Sequence, residues 1–420
     1  MYCDVLNNVL KRKIFRDIKN NILSGIVSKL GSFILTILIV RILTVEEFGI
    51  YIYALSIALV LLSFIDLGIG TAIITFVSRH LDKDIITSRS YFRYFFKISM
   101  YVTLITGVIL FLFSREMSAF FFRNSESYYF IFSIFLLILT MQVSNIMEAL
   151  IISLRKFEFL PKIRAVGVVL RIVLLSGLGL VLREMGALIG SILAYALIFL
   201  IVINSNEIKR FIFGPIKRID KRGLKKYLFL LNMSTVSYSI FAWVDSIMIG
   251  FLSEFYNVAY YRIAFSLVSA IISVVSISAV FQPRIVGYTM NELKAKLKKI
   301  ILLAFSISLP AFLLVNLFSL NIIDIVYGVQ YRKSLEVIFP LSLLILLNSF
   351  DYFNAIFALR KRPIYITYIA IVSSISNFTL NLILIPPFGI LGAAWATVVS
   401  RIVNIGIGYS LFIKVFKNEG

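Results

Sequence analysis

Cysteine and histidine are almost absent from this 420-residue chain, in which Cys3 is the only cysteine and His80 the only histidine. One cysteine excludes a disulfide within the chain, and these two residues cannot supply the ligands of a cysteine or histidine metal centre. Catalysis of the Ser-His-Asp or Cys-His type would depend on His80, and no Gly-x-Ser-x-Gly motif stands beside an apolar segment that could serve it. The sequence also lacks a Gly-rich phosphate loop of the Walker type. These absences count against an enzyme and against transport driven by an ATPase within this chain.

Charged residues are also few. They make up 15% of the chain, against 60% hydrophobic residues and a mean hydropathy of +0.97. This composition is more apolar than a soluble core requires, so it predicts an all-α polytopic membrane protein. About twelve stretches approach the ~20 residues that cross a bilayer core of ~30 Å. They lie at about 20–43, 50–78, 94–113, 129–153, 164–182, 186–204, 227–251, 258–281, 300–320, 335–358, 362–385 and 388–413.

Acidic residues are outnumbered two to one, since the chain has 42 Lys and Arg, 21 Asp and Glu, and a net charge of +21. If the N-terminus is cytoplasmic and the chain crosses twelve times, 32 basic residues fall on the N-terminal side, 6 fall on the opposite side and 4 lie within spans. Basic residues are retained on the cytoplasmic side of membranes, so both termini are predicted to be cytoplasmic. Because the charges sit in short loops beside apolar spans, they indicate contact with anionic membrane lipids and not nucleic acid.

The longest polar interruption follows the sixth span and separates two halves of six spans each. We predict an N-terminal lobe at 1–204, a cytoplasmic inter-lobe linker at 205–226 and a C-terminal lobe at 227–420. The halves are weakly similar, because GIYIYA at 49–54 corresponds to AYYRIA at 259–264, 210 residues later. Repeats with an even number of spans share one topology and are related by an axis along the membrane normal. The substrate is then expected between the lobes.

Eight charged residues lie inside the predicted spans, where ionisable groups are costly and usually face a protein interior or a water-filled cavity. They are Lys29, Asp66, Glu148, Arg171, Asp245, Arg262, Asp351 and Arg401. Three of them, Glu148, Arg171 and Asp351, lie within about two helical turns of the inner boundary. Their position favours snorkelling or a local ion pair.

For the cations Lys29, Arg262 and Arg401, two interpretations stay open. As unpaired cations facing a cleft, they would attract a phosphate or diphosphate, whose charge and geometry match Lys and Arg at low local dielectric. Alternatively, Asp66 and Asp245 would neutralise them as structural ion pairs.

Five segments carry a family resemblance over nearly the whole chain. They are LTVEEFGIY at 43–51, DLGIG at 66–70, VDSIMIG at 244–250, YGVQY at 327–331 and PPFGILGAA at 386–394. In order and spacing they resemble the bacterial polysaccharide-biosynthesis flippases. These are the O-antigen repeat-unit translocases of the multidrug/oligosaccharidyl-lipid/polysaccharide (MOP) exporter superfamily.

The resemblance implies a fold and an activity. The expected fold has twelve transmembrane helices in two six-helix lobes around a V-shaped central cavity, similar to the multidrug and toxin extrusion (MATE) transporters. The expected activity is translocation of an undecaprenyl-diphosphate-linked oligosaccharide, from the inner to the outer leaflet of the bacterial inner membrane, by alternating access. A polysaccharide polymerase and a chain-length regulator are the expected protein partners.

The resemblance also suggests roles for five of the intramembrane residues. Lys29, Arg262 and Arg401 would line the cavity and attract the diphosphate and glycan, while Asp66 and Asp245 would serve cation coupling or gating. No metal or organic cofactor is expected, and whether Na⁺, H⁺ or the membrane potential drives the cycle stays open.

The sequence leaves three other functions open. A cation-coupled multidrug exporter of the MATE type shares the architecture, although it should show an acidic cavity, whereas the candidates here lean basic. A lipid II flippase of the same superfamily commonly carries extra spans that this chain lacks. A membrane glycan polymerase or ligase would need a long outer loop with essential Arg or His residues, and no outer loop exceeds about twenty residues.

Overall fold

The computed structural model describes residues 20, 25, 27, 28, 30–275, 290–353, 356, 357 and 362–419. These residues form helices joined by short turns, and no strand occurs among them. Thirteen α-helices are numbered here in chain order. They are α1 Leu30–Ile42, α2 Val45–Asp66, α3 Ile69–Leu81, α4 Ile85–Leu112, α5 Ser114–Phe122, α6 Tyr128–Ser153, α7 Phe159–Ile203, α8 Asn206–Phe213, α9 Leu224–Leu252, α10 Phe255–Val275, α11 Met290–Val326, α12 Leu335–Leu347 and α13 Pro363–Glu419. Three 3₁₀ turns lie at Ser125–Ser127, Val329–Ser334 and Asn348–Phe350.

Within the described ranges, nine helical segments are long and apolar enough to cross a membrane. Two of them, α7 and α13, are broken near their middle, at Arg183 and Gly389. If each of these counts as two crossings and the apolar helix α1 as one more, the described chain contains twelve crossing segments. The all-α polytopic fold class predicted from composition is confirmed.

Helix α4 has a buried face and an exposed face of different composition. Its buried stripe carries the small polar residues Ser99 and Thr103, both 0% exposed, whereas Ile105 and Val108 are 60% and 58% exposed. Large apolar side chains on the outside and small polar ones inside are the reverse of the pattern in soluble bundles. In lipid, small residues let helices approach closely and polar side chains hydrogen-bond inside the bundle.

The chain packs as two compact units. Unit 1 comprises residues 1–43 and 61–232, and unit 2 comprises residues 44–60 and 233–420. The lobe and linker boundaries drawn from the sequence stay a prediction.

Each unit contains a helical hairpin of the same kind. In unit 1, α7 is broken at Arg183 (φ 53°, ψ −135°), and in unit 2, α13 is broken at Gly389 (φ 55°, ψ −134°). Three residues after each break, a Cβ added to Gly186 or Gly392 would lie 2.0 or 2.1 Å from a carbonyl oxygen of the preceding segment. Only glycine allows this close approach. Two hairpins with matching dihedrals, 206 residues apart, support an internal duplication.

The segment after α8 is bound to unit 1 by hydrogen bonds. The Arg93 guanidinium donates to the carbonyl oxygens of Ile212 (2.7 Å) and Gly214 (2.8 Å). The backbone N–H of Lys217 donates to Ser90 Oγ at 2.8 Å, and the Lys217 ammonium forms an ion pair with Asp84. The proline at 215 follows the end of α8, as expected for a residue that cannot continue a helix.

Candidate functional site

The most polar buried group in unit 2 surrounds Asp245, a residue of α9 that is 2% exposed. Its Oδ1 accepts a hydrogen bond from Asn381 Nδ2 at 2.6 Å. Its Oδ2 lies 2.6 Å from the Tyr261 hydroxyl and 2.7 Å from the Thr397 hydroxyl, both of which can donate to it. A carboxylate with three neutral donors is well solvated by the protein, as a buried charge requires.

The partners of Asp245 come from two other helices of unit 2, and from both segments of one of them. Tyr261 lies on α10, Asn381 on the first segment of α13, and Thr397 on its second segment. Asn377 stands one turn before Asn381 on the same face, and its Oδ1 accepts from Asn381 Nδ2 at 3.1 Å. The break at Gly389 is what folds the two segments of α13 back so that both reach the carboxylate.

No basic side chain forms an ion pair with Asp245 in the part of the chain that the structure describes. The buried Asn381 Oδ1 also has no hydrogen-bond partner there. The Thr397 hydroxyl lies 3.0 Å from the Ala393 carbonyl, which adds a further oxygen nearby. One carboxylate among neutral amide, hydroxyl and carbonyl oxygens is suited to a proton or a hard monovalent cation. A set of three or more acidic, His or Cys side chains of the kind that holds a divalent metal does not occur among the described residues.

Arg262 follows Tyr261 in sequence and has a different environment. Its guanidinium lies over the ring of Trp243 at 4.0 Å and near the ring of Phe265 at 5.1 Å. It also donates to the Ala242 carbonyl oxygen at 3.4 Å. Within the described residues Arg262 forms no close ion pair with a carboxylate, although Asp245 is near enough for the two charges to attract each other. Aromatic faces partly compensate its charge.

Arg401 is paired, but with neither of the carboxylates proposed from the sequence. Its Nη2 lies 2.5 Å from Asp351 Oδ2, and the two side chains are 22% and 19% exposed. Asp351 lies at the end of the 3₁₀ turn at Asn348–Phe350, where the tenth predicted span is interrupted. Similarly, Glu148 forms an ion pair with Arg164. Of the two alternatives predicted for Asp351 and Glu148, snorkelling or a local ion pair, the structure shows the ion pair for both residues.

The remaining predicted residues lie in the N-terminal part. Asp66 ends α2 in unit 1, where its Oδ1 accepts from Gln142 Nε2 at 3.3 Å, and the same nitrogen donates to Ser99 Oγ at 2.5 Å. Asp66 and Asp245 therefore belong to separate polar groups, one in each unit. Lys29 lies outside the described residues. The roles suggested for all five residues stay predictions.

Only charged residues were selected as candidates from the sequence, so the neutral members of the Asp245 group were not predicted. A signal for them was present. Asn377 and Asn381 are spaced four apart in an apolar span, and Thr397, Ser400 and Asn404 are spaced by three and four. Such a polar stripe on one face of a membrane helix predicts a buried polar contact.

Known proteins resemble this chain in sequence over part of its length and in fold over nearly all of it. Residues 14–289 match a family described as polysaccharide biosynthesis protein. No curated protein matches the chain in sequence.

Solved structures share the fold at low sequence identity. The lipid II flippase MurJ in an inward closed conformation has 15% identity and a TM-score of 0.75, with 96% of this chain and 90% of that chain covered. An inward-facing multidrug resistance MATE family transporter of the MOP superfamily has 15% identity and a TM-score of 0.70, covering 94% and 96%. A MOP superfamily transporter from Pyrococcus furiosus has 14% identity and a TM-score of 0.61, covering 97% and 96%. The match over residues 14–289 makes this chain a member of the polysaccharide biosynthesis protein family, and the solved structures show that it has the fold of MurJ and of MATE transporters.

Proposed function

We propose that this membrane protein is a flippase that moves an undecaprenyl-diphosphate-linked oligosaccharide from the inner to the outer leaflet of the bacterial inner membrane. The family description and the fold shared with the lipid II flippase MurJ support a lipid-linked substrate. The lipid tail of such a substrate can stay in the bilayer while its glycan and diphosphate need a polar path. Arg262, whose guanidinium lies over the Trp243 ring and forms no close ion pair among the described residues, is our candidate for attracting the diphosphate.

The observation that carries the proposal is the buried carboxylate of Asp245 on α9, surrounded by neutral donors from α10 and α13. We propose that it binds Na⁺ or H⁺ and so couples an ion gradient to the cycle. Binding or release of the ion changes the net charge of a buried group, which favours one packing of these three helices over another. Alternating access then follows from two helix arrangements with different ion affinities.

The test is complementation of surface-polysaccharide assembly in a strain that lacks its own flippase. Asp245→Asn keeps the size of the side chain but removes the charge, so we expect surface polysaccharide to fall at least tenfold while the protein still inserts. Glu254→Gln is the matched control, because this exposed carboxylate lies in the turn between α9 and α10. Undiminished polysaccharide in Asp245→Asn would overturn the coupling role.

A second experiment identifies the ion and tests the cation. In proteoliposomes with a fluorescent lipid-linked glycan, a Na⁺ gradient and a pH gradient are imposed separately, and only the coupling ion should accelerate translocation. Arg262→Ala should lower complementation, and Arg262→Lys should restore part of it because the charge is retained. Equal activity of Arg262→Ala and the parent protein would remove Arg262 from the substrate path.

A second candidate function is cation-coupled drug export, which the fold shared with MATE transporters favours. The two functions differ in their substrate. A drug exporter would lower ethidium accumulation in cells lacking endogenous pumps and would not restore surface polysaccharide. We expect the opposite pair of results.

A further inference from the structure

Unit 1 contains a cavity of about 170 Å³ that is separate from the Asp245 group in unit 2. It is lined by Ser28, by residues of α6 and by residues of both segments of α7. Its polar walls include Asn145, Glu148, Arg164 and Arg171. Since one molecule of liquid water takes about 30 Å³, the cavity has room for a small polar group together with water.

Arg171 lies at the middle of the first segment of α7. It follows Phe159 by twelve residues and precedes the break at Arg183 by twelve. At a rise of about 1.5 Å per residue, its Cα is roughly 18 Å from either end of this segment. The helix begins at Phe159, five residues before the predicted span, so Arg171 lies deeper in it than the sequence suggested and forms no ion pair among the described residues. A cation inside a membrane helix is costly and usually faces a polar interior, as here.

The protein satisfies little of the hydrogen-bonding capacity of Arg171. Its Nε lies 3.4 Å from the Gly167 carbonyl oxygen, and its guanidinium carbon is 5.9 Å from the centre of the Tyr195 ring. A guanidinium has five N–H groups, so four have no acceptor among the described residues. Arg171 lines the cavity and is only partly buried, so these N–H groups are accessible to a ligand there.

Among the described residues that line the cavity, the one carboxylate is already paired. Glu148 forms its ion pair with Arg164, so these two charges cancel and Arg171 is the remaining charge of the described lining. The side chain of Asn145 is exposed to this space and can donate through its amide. A planar guanidinium beside an amide donor is suited to an oxyanion, which accepts two parallel hydrogen bonds from Arg.

We infer that this cavity is an anion-binding site for a phosphate group, with Arg171 as its principal ligand and Asn145 as a second donor. The inference does not depend on the proposed flippase function, because it uses other residues in the other unit. The phosphate can come from a polyprenyl phosphate, from a phospholipid headgroup or from free inorganic phosphate.

Native mass spectrometry of the full-length protein in detergent tests the site and distinguishes these sources. The probes are undecaprenyl phosphate, phosphatidylglycerol and inorganic phosphate, each titrated against the parent protein. We expect at least one probe to bind and Arg171→Met to weaken its binding at least tenfold. Arg210→Met is the matched control, since this exposed arginine lies on α8 of the same unit. Binding should be unchanged in that control.

Two outcomes would overturn the inference. One is that no phosphate-bearing probe binds, and the other is that Arg171→Met binds as well as Arg210→Met. If Arg171→Met fails to fold, as judged by gel filtration, Asn145→Leu and Arg171→Lys replace it. Asn145→Leu keeps every charge of the cavity and should weaken binding several-fold, whereas Arg171→Lys should weaken it less than Asn145→Leu. Parent-like binding in both Asn145→Leu and Arg171→Lys contradicts the site.

Discussion

Carboxylates inside a membrane bundle must be compensated, and this chain compensates them in two ways. Asp351 and Glu148 each contact an arginine, whereas Asp245 accepts hydrogen bonds from neutral side chains. An ion pair fixes its two charges to each other and leaves neither free for a ligand. Asp245 has no such partner among the described residues, which is why it is the best candidate for a coupling ion.

The Asp351–Arg401 pair gives a prediction about stability. Asp351→Leu leaves the Arg401 guanidinium partly buried without its carboxylate, so we expect a loss of about 3 kcal/mol in the free energy of unfolding. The double variant Asp351→Leu with Arg401→Met should recover most of this loss, because no charge is left unpaired. Thermal unfolding in detergent measures both. A double variant that is no more stable than Asp351→Leu alone would contradict the ion-pair explanation.

At the scale of elements, the breaks in α7 and α13 determine what each hairpin can bring together. Gly389 has φ 55°, a region that L-residues with a side chain rarely adopt, and no atom lies within 4 Å of a Cβ added there. Glycine at this position therefore avoids a conformational cost, not crowding, and Arg183, with the same dihedrals at the break in α7, bears that cost. The sequence indicated a boundary here through Pro386 and Pro387, but the direction of the return depends on these dihedrals.

Gly389→Ala tests this conformational requirement. We expect a loss of about 1–3 kcal/mol of stability, because the alanine would have to keep an unfavourable backbone conformation. Gly406→Ala is the matched control in the same helix, since its Cβ also meets open space and its φ is not positive. That control should be neutral or more stable by up to about 1 kcal/mol. Equal melting temperatures for the two variants would be inconsistent with strain at position 389.

The segment that follows α8 gives a second prediction at this scale. The Lys217 ammonium, together with hydrogen bonds from Thr87, holds the pKa of Asp84 well below its usual value. A lowered pKa means that the Asp84–Lys217 ion pair is fully present above the ordinary carboxyl pKa of about 4. The ion pair is lost only as the pH falls from there through the lowered pKa of Asp84. Asp84→Asn should remove it at neutral pH, so trypsin should cleave after Lys217 and Arg218 several-fold faster.

Asp82→Asn is the control for that experiment, because Asp82 is paired with Arg155 and not with Lys217. Hydrogen exchange of residues 215–220 in the parent protein should also be the same at pH 7 and pH 5, after correction for intrinsic exchange rates. Parent-like cleavage of Asp84→Asn would show that the hydrogen bonds between the backbone of the segment and the side chains of Arg93 and Ser90 are sufficient to hold it.

At the scale of the whole molecule, the distribution of charge sets the orientation in the membrane. The 32 basic residues assigned to one side and 6 to the other are a large bias for short loops. The fold alone carries no information about which side is cytoplasmic, since an apolar bundle is compatible with either orientation.

Cysteine labelling tests the orientation, and the single native cysteine makes it simple. In a Cys3→Ser background, Ser125→Cys lies in the exposed 3₁₀ turn before α6, and Arg218→Cys lies in the exposed segment before α9. A membrane-impermeant maleimide should label Ser125→Cys in intact cells and Arg218→Cys only after lysis. The reverse pattern would show that the termini are not cytoplasmic.

The sequence by itself determined the fold class, the approximate spans and the intramembrane charges worth examining. Hydropathy and charge bias are calculated from short stretches of sequence, so they can be read without knowing which residues are in contact. For the same reason the family segments and the approximate break at Gly389 were visible before any coordinates.

Only the tertiary structure decided which of those charges meet. Asp351 pairs with Arg401 across 50 residues, and Asp245 meets Thr397 across 152. A membrane helix is apolar on nearly every face, so its sequence fixes its length and leaves its rotation about its axis to packing. That rotation, together with the two broken helices, places Asp245 among neutral oxygens and opens Arg171 to a cavity.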